Sequence, residues 1–219
     1  MTTEMQRSNR RVAIMRPVMP PYCVLQGFLD EPTVAGLFEY TLAHERAFTA
    51  TGVGRLDAQR IDPAIRVSLA TRDLGPYKQT FKSRMRGLTS DIIAKLRVTP
   101  VESPSFELQL VAHNDGAFFK SHIDTQTASD TRSVRVLSGV YYFHSEPKAF
   151  SGGALRLYAL GDPASSKFVD IEPTHNSLLV FPSWVRHEVM PVICPSKRFA
   201  DSRFAVNCWV HRKNNEAAT

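Results

Sequence analysis

The chain has 219 residues, 43% of them hydrophobic and 22% charged, with 13 Phe. This composition sustains a core and excludes disorder over the whole length, and no run of about 18 apolar residues is present to form a transmembrane helix. The net charge of +6 comes from 27 basic and 21 acidic residues. Arg7, Arg10, Arg11 and Arg16 against Glu4 place half of it in the first sixteen residues, leaving a body too weakly basic to read as a nucleic-acid-binding module.

Residues 1–20 lack periodicity and run into Pro17, Pro20 and Pro21. They are expected as a flexible basic tail and extended entry, with 21–219 as one domain. The N-terminus has no apolar stretch of the kind a secretory signal needs. Cys23, Cys194 and Cys208 are an odd set without a CxxC pair, as expected of free thiols in a reducing compartment. The expectation is a soluble, cytoplasmic protein with no membrane contact.

Asp30-Glu31-Pro32 marks a helix start, a capping acid followed by Pro in the first turn. This helix is expected to reach about Phe48, with Val34, Leu37, Phe38 and Leu42 inward. Residues 49–66 read as a connection. A second helix is expected over about 76–97, where Tyr77, Phe81, Met85, Leu88, Ile92 and Leu96 recur at helical spacing. After Pro100 the segments become short, β-branched or aromatic, and broken by turn residues. Strands are expected at Phe106–His113, Val134–His144, Ala154–Ala159, Lys167–Ile171, Ser177–Phe181, His187–Val192 and Arg203–His211. Two helices followed by many short strands predict an α+β fold, with helices buttressing an antiparallel sandwich or barrel.

Candidate chemistry centres on histidine. In His122-Ile123-Asp124, alternate residues of a strand would share one face, so an imidazole and a carboxylate could grip one metal ion. His187, at the start of an expected strand, is the best-placed third ligand. Two His and one carboxylate leave half of an octahedral metal open, which suits non-haem Fe(II). HxD alone is weak evidence: seven His would yield roughly 0.7 such pairs by chance at average composition. A second copy, His113-Asn114-Asp115, lies in the same segment.

Context separates the two copies. The run from His113 to Asp124 carries Gly116 six residues before His122 and Phe119 three before it. It resembles the iron-binding entry of the prolyl 4-hydroxylase branch of the 2-oxoglutarate/Fe(II) oxygenases. Ser138-Gly139-Val140-Tyr141-Tyr142 resembles that branch's tyrosine-bearing strand, Ser151-Gly152-Gly153-Ala154 its Gly-Gly turn, and Arg203-Phe204-Ala205-Val206-Asn207-Cys208-Trp209 its last strand. The likeness covers about 106–211 and is greatest to oxygen-sensing-type prolyl hydroxylases and their bacterial relatives. It implies a double-stranded β-helix (jelly-roll, cupin-like) core over 106–211 with helical support over 30–97.

By this resemblance His122, Asp124 and His187 are metal ligands. Arg203 is the partner of the far carboxylate of 2-oxoglutarate, with Tyr142, Asn207, Trp209 and His113 around the cosubstrate. His113 stands where the family commonly has Tyr. Arg203 lies sixteen residues beyond His187, further than in the family, so Cys194-Pro195-Ser196-Lys197 reads as part of an inserted loop. Arg198, in a second Arg-Phe-Ala, is the rival. The implied cofactors are Fe(II), 2-oxoglutarate and O2, with ascorbate as reductant. The implied reaction hydroxylates an sp3 C–H of a prolyl residue in a peptide or protein and releases succinate and CO2. Asp124, in place of a small residue, favours hydroxylation over halogenation. The alternatives are the same chemistry on a free amino acid or other small metabolite, and a non-catalytic metal-binding barrel. Residues 125–133 and the arginines at 55, 60 and 66 are candidates for selecting the substrate.

Overall fold

The computed structural model describes residues 18–53, 60–125, 133–160 and 167–213. Two helices and fourteen strands occur in these segments. The chain runs β1 (Cys23–Gln26), α1 (Glu31–Ala43), β2 (Thr49–Ala50), β3 (Arg66–Val67), β4 (Leu69–Thr71), α2 (Tyr77–Leu96), β5 (Ser105–His113) and β6 (Phe118–His122). It continues through β7 (Ser133–Phe143), β8 (Ser151–Gly152), β9 (Leu155–Tyr158), β10 (Phe168–Ile171), β11 (Ser177–Pro182), β12 (His187–Val189), β13 (Val192–Ile193) and β14 (Arg203–Lys213).

The strands form a seven-stranded sheet in the order β1-β11-β7-β14-β5-β4-β2 and a five-stranded sheet in the order β10-β9-β12-β6-β3, with β13 and β8 paired apart. Every pairing is antiparallel. This is the expected α+β jelly roll. The period of two decides what each face buries. Phe204, Val206, Cys208 and Val210 of β14, with Tyr141 and Phe143 of β7, join Val34, Leu37, Phe81 and Met85 of the helices in the larger core. The intervening residues Val140, Tyr142 and Ala205 pack with Leu155, Leu157, Leu179 and Phe181 in a second core shared by the two sheets. Burial of both faces explains why β11 reads as a continuous apolar run.

The helices follow the sequence reading, with one correction. Asp30 caps α1, its side chain accepting from the Thr33 amide at 2.8 Å. The helix ends at Ala43 rather than near Phe48, because Nδ1 of His44 donates to the Tyr40 carbonyl (2.8 Å) and a 3-10 turn over Glu45–Ala47 redirects the chain into β2. The α2 stripe faces the core throughout: Phe81, Met85, Ile92 and Leu96 are buried, with Tyr77 and Leu88 partly so.

The expected strand over 187–192 divides in two. Pro191 has no N–H for a ladder; its carbonyl instead accepts from the Gly153 amide at 3.0 Å. The expected connection over 49–66 supplies edge strands, β2 to the large sheet and β3, at its end, to the small one. The tail expected over 1–20 falls mostly outside the described residues. Among those described, no helix is long and apolar enough to cross a membrane.

Candidate metal centre and adjoining cavity

His122 ends β6 and His187 begins β12, and the two residues are directly paired across the small sheet. Asp124 is not on the strand, as the alternation argument expected, but two residues past its end, where its amide donates to the Ser183 carbonyl at 2.9 Å. One ligand atom from each of the three lies within 4.8 Å of the others. Nε2 of His122 is 3.7 Å and Nε2 of His187 3.5 Å from the Asp124 carboxylate.

Both imidazoles are oriented by their other nitrogen. Nδ1 of His122 lies 2.8 Å from the Lys120 carbonyl and Nδ1 of His187 lies 2.9 Å from the Val185 carbonyl. A carbonyl can only accept, so each Nδ1 carries the proton and each Nε2 presents its lone pair inward. The His122 ring stacks on Phe119 at 3.6 Å, and His187 meets Phe181 edge-on. Burial, reinforced by His187, holds His122 far below the ordinary imidazole range. Burial alone would raise Asp124, but the two histidines, the Ser138 hydroxyl (2.6 Å) and the Trp209 indole outweigh it and keep the carboxylate ionised. Two imidazole nitrogens and one carboxylate oxygen converging from one side are the donor set an Fe(II)-type ion takes, with several positions left open.

The centre opens into a cavity of about 730 Å³ whose walls include His113, Arg203, Asn207 and Trp209. Arg203, Asn207 and Trp209 line it from the same face of β14. Arg203 is 1% exposed; its Nε donates to the Gly153 carbonyl at 2.7 Å, and Nη1 lies 3.3 Å from Nδ1 of His113. Its guanidinium lies 4.8 Å from the Tyr142 ring centroid. Gly153 has φ +70°, and a Cβ there would stand 2.6 Å from Cδ of Arg203. The rival Arg198 is exposed and paired with Asp201 at 2.8 Å.

Among the described residues, three buried side-chain atoms have no hydrogen-bond partner: Nε2 of His113, the Tyr142 hydroxyl and Nη2 of Arg203. Unpaired polar groups are expensive to bury, and these belong to three neighbouring residues, of which His113 and Arg203 line the cavity. Burial pushes the Tyr142 phenol up to about 12, against the opposing pull of Arg203, so it stays protonated and able to donate. The set fits a small dicarboxylate whose far end would be held by a fork, a phenol and an imidazole N–H.

The second HxD has a different place. Asp115 accepts from the Cys194 amide at 3.0 Å, and Nδ2 of Asn114 donates to the Arg198 carbonyl (2.9 Å) and the Ser202 hydroxyl (2.8 Å). That segment tethers the loop between β13 and β14, and only its His113 reaches the cavity.

A family model described as the 2OG-Fe(II) oxygenase superfamily matches residues 108–211, the span that holds all of these side chains. Over that span, just under half of its length, the chain is similar to the 2OG-Fe(II) oxygenase superfamily. An uncharacterized PKHD-type hydroxylase of Synechocystis is 43% identical over 139 residues, 61% of this chain and 45% of that protein. The match thus spans under half the length of that curated relative. In fold, the chain is similar to a Pseudomonas putida prolyl-4-hydroxylase (TM-score 0.63, 24% identity, 88% of this chain and 93% of that one). It is also similar to a Trichoplax adhaerens prolyl hydroxylase solved with a hypoxia inducible factor peptide fragment (TM-score 0.61, 22% identity, 86% and 82%). The oxygenase family implies Fe(II), 2-oxoglutarate and O2.

Several contacts were not foreseen. Ser138, which orients Asp124, shares the inward parity of Val140 and Tyr142 and was readable from that alone. The guanidinium of Arg135 lies 4.0 Å from the Trp209 ring centroid and gives Glu107 two hydrogen bonds (2.7 and 3.2 Å). This contact joins β5, β7 and β14, and no local pattern signals it. Of the suggested substrate-selecting residues, Arg66 lines the cavity, Arg60 is exposed, and Arg55 and 126–132 lie outside the described residues.

Proposed function

We propose that this chain is an Fe(II)- and 2-oxoglutarate-dependent hydroxylase acting on a prolyl residue of a peptide or protein. His122, Asp124 and His187 would hold the metal, and Arg203, Tyr142 and His113 the far carboxylate of the cosubstrate. The observation that carries this reading is the group of three orphaned atoms on Arg203, His113 and Tyr142, the first two of which line the same cavity as the three converging side chains. When bound, the metal and cosubstrate together supply the oxidising chemistry that inserts one oxygen atom of O2 into a C–H bond.

The protein's share is orientation and shielding. Backbone carbonyls keep both imidazoles in the ligating tautomer, and Ser138 fixes the carboxylate. Asn207 and Trp209 line the same wall between Arg203 and the ligands. Arg203 is locked by Gly153 before any ligand arrives, so little order is lost on binding. Cys23, Cys194 and Cys208 are buried and unpaired, which supports a reducing, cytoplasmic setting. The prolyl preference rests on the relatives' stated activities and the shared fold.

Anaerobic titration with Fe(II) and 2-oxoglutarate tests the site: a weak visible charge-transfer band is expected, and its absence in folded protein overturns the reading. Aerobic incubation of the loaded protein with proline-containing peptides, with and without ascorbate, should then yield succinate and a peptide mass gain of one oxygen atom.

A further inference from the structure

The charges that line the cavity do not cancel. Four arginines (Arg66, Arg72, Arg135 and Arg203) and two acids (Glu107 and Asp124) face it. Arg72 and Arg135 both pair with Glu107, at 3.3 and 2.7 Å. Asp124 belongs to the metal centre, and Arg203 faces the cosubstrate on the reading above. Arg66 is the arginine left over. Among the described residues it has no acidic partner within salt-bridge distance.

Arg66 is also held in place. It lies on β3, the edge strand beside β6, directly across from Phe119. Its guanidinium lies 4.6 Å from the Phe119 ring centroid, on the same aromatic that stacks with His122. Its Nε donates to the Ser68 hydroxyl at 3.0 Å. The Thr51 hydroxyl donates to the Ser68 carbonyl (3.1 Å), so the Ser68 hydroxyl donates to Thr51 Oγ1 (2.7 Å) and keeps a lone pair for Arg66. Thr51 and Ser68 are both buried. This chain of bonds occupies the inner nitrogen and leaves both terminal nitrogens of the fork without a partner among the described residues. A partly buried guanidinium so presented is matched by a carboxylate in two-point contact. It lines the same cavity as His113, His122 and Asp124 and shares Phe119 with His122, which places it beside the metal centre.

We propose that Arg66 receives a carboxylate of the substrate, so that the reacting C–H lies next to an acidic group. This rests on the hydroxylase reading and names the substrate class for it. Two sources share the chemistry: an Asp or Glu side chain flanking the target in a peptide, and the carboxylate of a small acid.

The test reads binding rather than turnover. Protein loaded with Mn(II) and 2-oxoglutarate is immobilised and offered a pool of amidated, proline-centred heptapeptides with Asp, Glu, Asn and Gln equally represented at flanking positions. A second arm titrates N-acetyl-L-aspartate against N-acetyl-L-asparagine. Preference for the carboxylate over the amide by about 10- to 150-fold is expected in one arm, the span of a hydrogen bond to a charged group. The arm that responds identifies the source. Arg66→Gln should reduce the preference to near one, Arg66→Lys should restore part of it, and the exposed Arg60→Gln should keep it whole. No preference in either arm, or a preference surviving in Arg66→Gln, overturns the proposal. So does an Arg66→Gln protein whose 2-oxoglutarate affinity falls while its selectivity stays, since Arg66 would then serve the cosubstrate. An intact Fe(II)/2-oxoglutarate band in the wild type separates failure here from failure of the hydroxylase reading.

Discussion

Arg203 and His113 face each other across the β5–β14 ladder, with Nη1 of the arginine 3.3 Å from Nδ1 of the imidazole. An arginine can only donate, so Nδ1 accepts and the single proton of a neutral ring sits on Nε2, the atom without a partner. Burial first, then the charges of Arg203 and Arg66, keep His113 well below the normal imidazole range. His113 thus supplies a donor where the resemblance leads one to expect a tyrosine hydroxyl. His113→Ala is expected to weaken 2-oxoglutarate binding by about 2- to 13-fold, the worth of one ordinary hydrogen bond, and to leave metal binding in place. Calorimetric titration of both ligands checks it.

The three converging residues carry a sharper expectation. His122→Ala, Asp124→Ala and His187→Ala should each abolish turnover and the Fe(II)/2-oxoglutarate band while far-ultraviolet circular dichroism stays near wild type, because the jelly roll is held by its two cores. Asp115→Asn, in the other HxD, should retain the band. A band that survives in Asp124→Ala but not in Asp115→Asn would exchange the two motifs.

Arg203→Ala should weaken 2-oxoglutarate binding by about 30-fold to several-thousand-fold, a loss of roughly 2–5 kcal/mol for a buried two-point charge pair. Fe(II) affinity should hardly change, since Arg203 is not one of the three converging side chains and is held instead by Gly153 and His113. Arg203→Lys should recover only part of the loss. Arg198→Ala should leave the cosubstrate constant unchanged, because Arg198 is exposed and spends its fork on Asp201.

Gly153→Ala reaches the same site through packing. The new methyl would meet Cδ of Arg203 at 2.6 Å on a backbone with φ +70°, so either the turn or the guanidinium must move. Cosubstrate affinity is expected to fall at least about tenfold, or 1.4 kcal/mol. Gly27→Ala, equally left-handed but with open space around its Cβ, is the control for backbone strain alone and should leave affinity intact.

Acid should destabilise the metal-free protein. Burial holds His113, His122 and His144 below their ordinary range. The unfolded chain takes up protons near pH 6.5 that the folded one refuses, so stability falls as pH drops through about 7 toward 5. Each such histidine contributes a slope of up to about 1.4 kcal/mol per pH unit. His113→Gln should flatten the decline by at most that amount; denaturant melts at pH 7.5, 6.5 and 5.5 would show an unchanged slope if His113 were exposed.

Much of this architecture was readable in advance where one period governs a long segment. The α2 stripe and the alternation of β7, β11 and β14 each reflect a face buried along its whole length. β6 is absent from the expected strands, although the reading of His122 and Asp124 presupposes one there, because no residue of Phe118–His122 is fully buried and no alternation develops. β3 and β4 are too short to show a period. The convergence of His122, Asp124 and His187 and the inward placing of Arg203 were legible because motifs of the resembled family pin these positions, whereas Arg66 and its Ser68–Thr51 support arise from an edge strand that meets β6 only after folding.

β14 carries Arg203, Asn207 and Trp209 to the cavity and hydrogen-bonds on one side to β7 and on the other to β5. The strand that joins the two halves of the large sheet is therefore the last described strand to leave the ribosome. Until it emerges, β5 and β7 each present an open edge, and their cavity-side and helix-side residues have no common neighbour. From the completion of β7 to that of β14 the nascent chain must carry two separate ribbons with open edges, and a ribosome stalled before Arg203 would release a chain with two sticky edges and a cavity without its buried arginine.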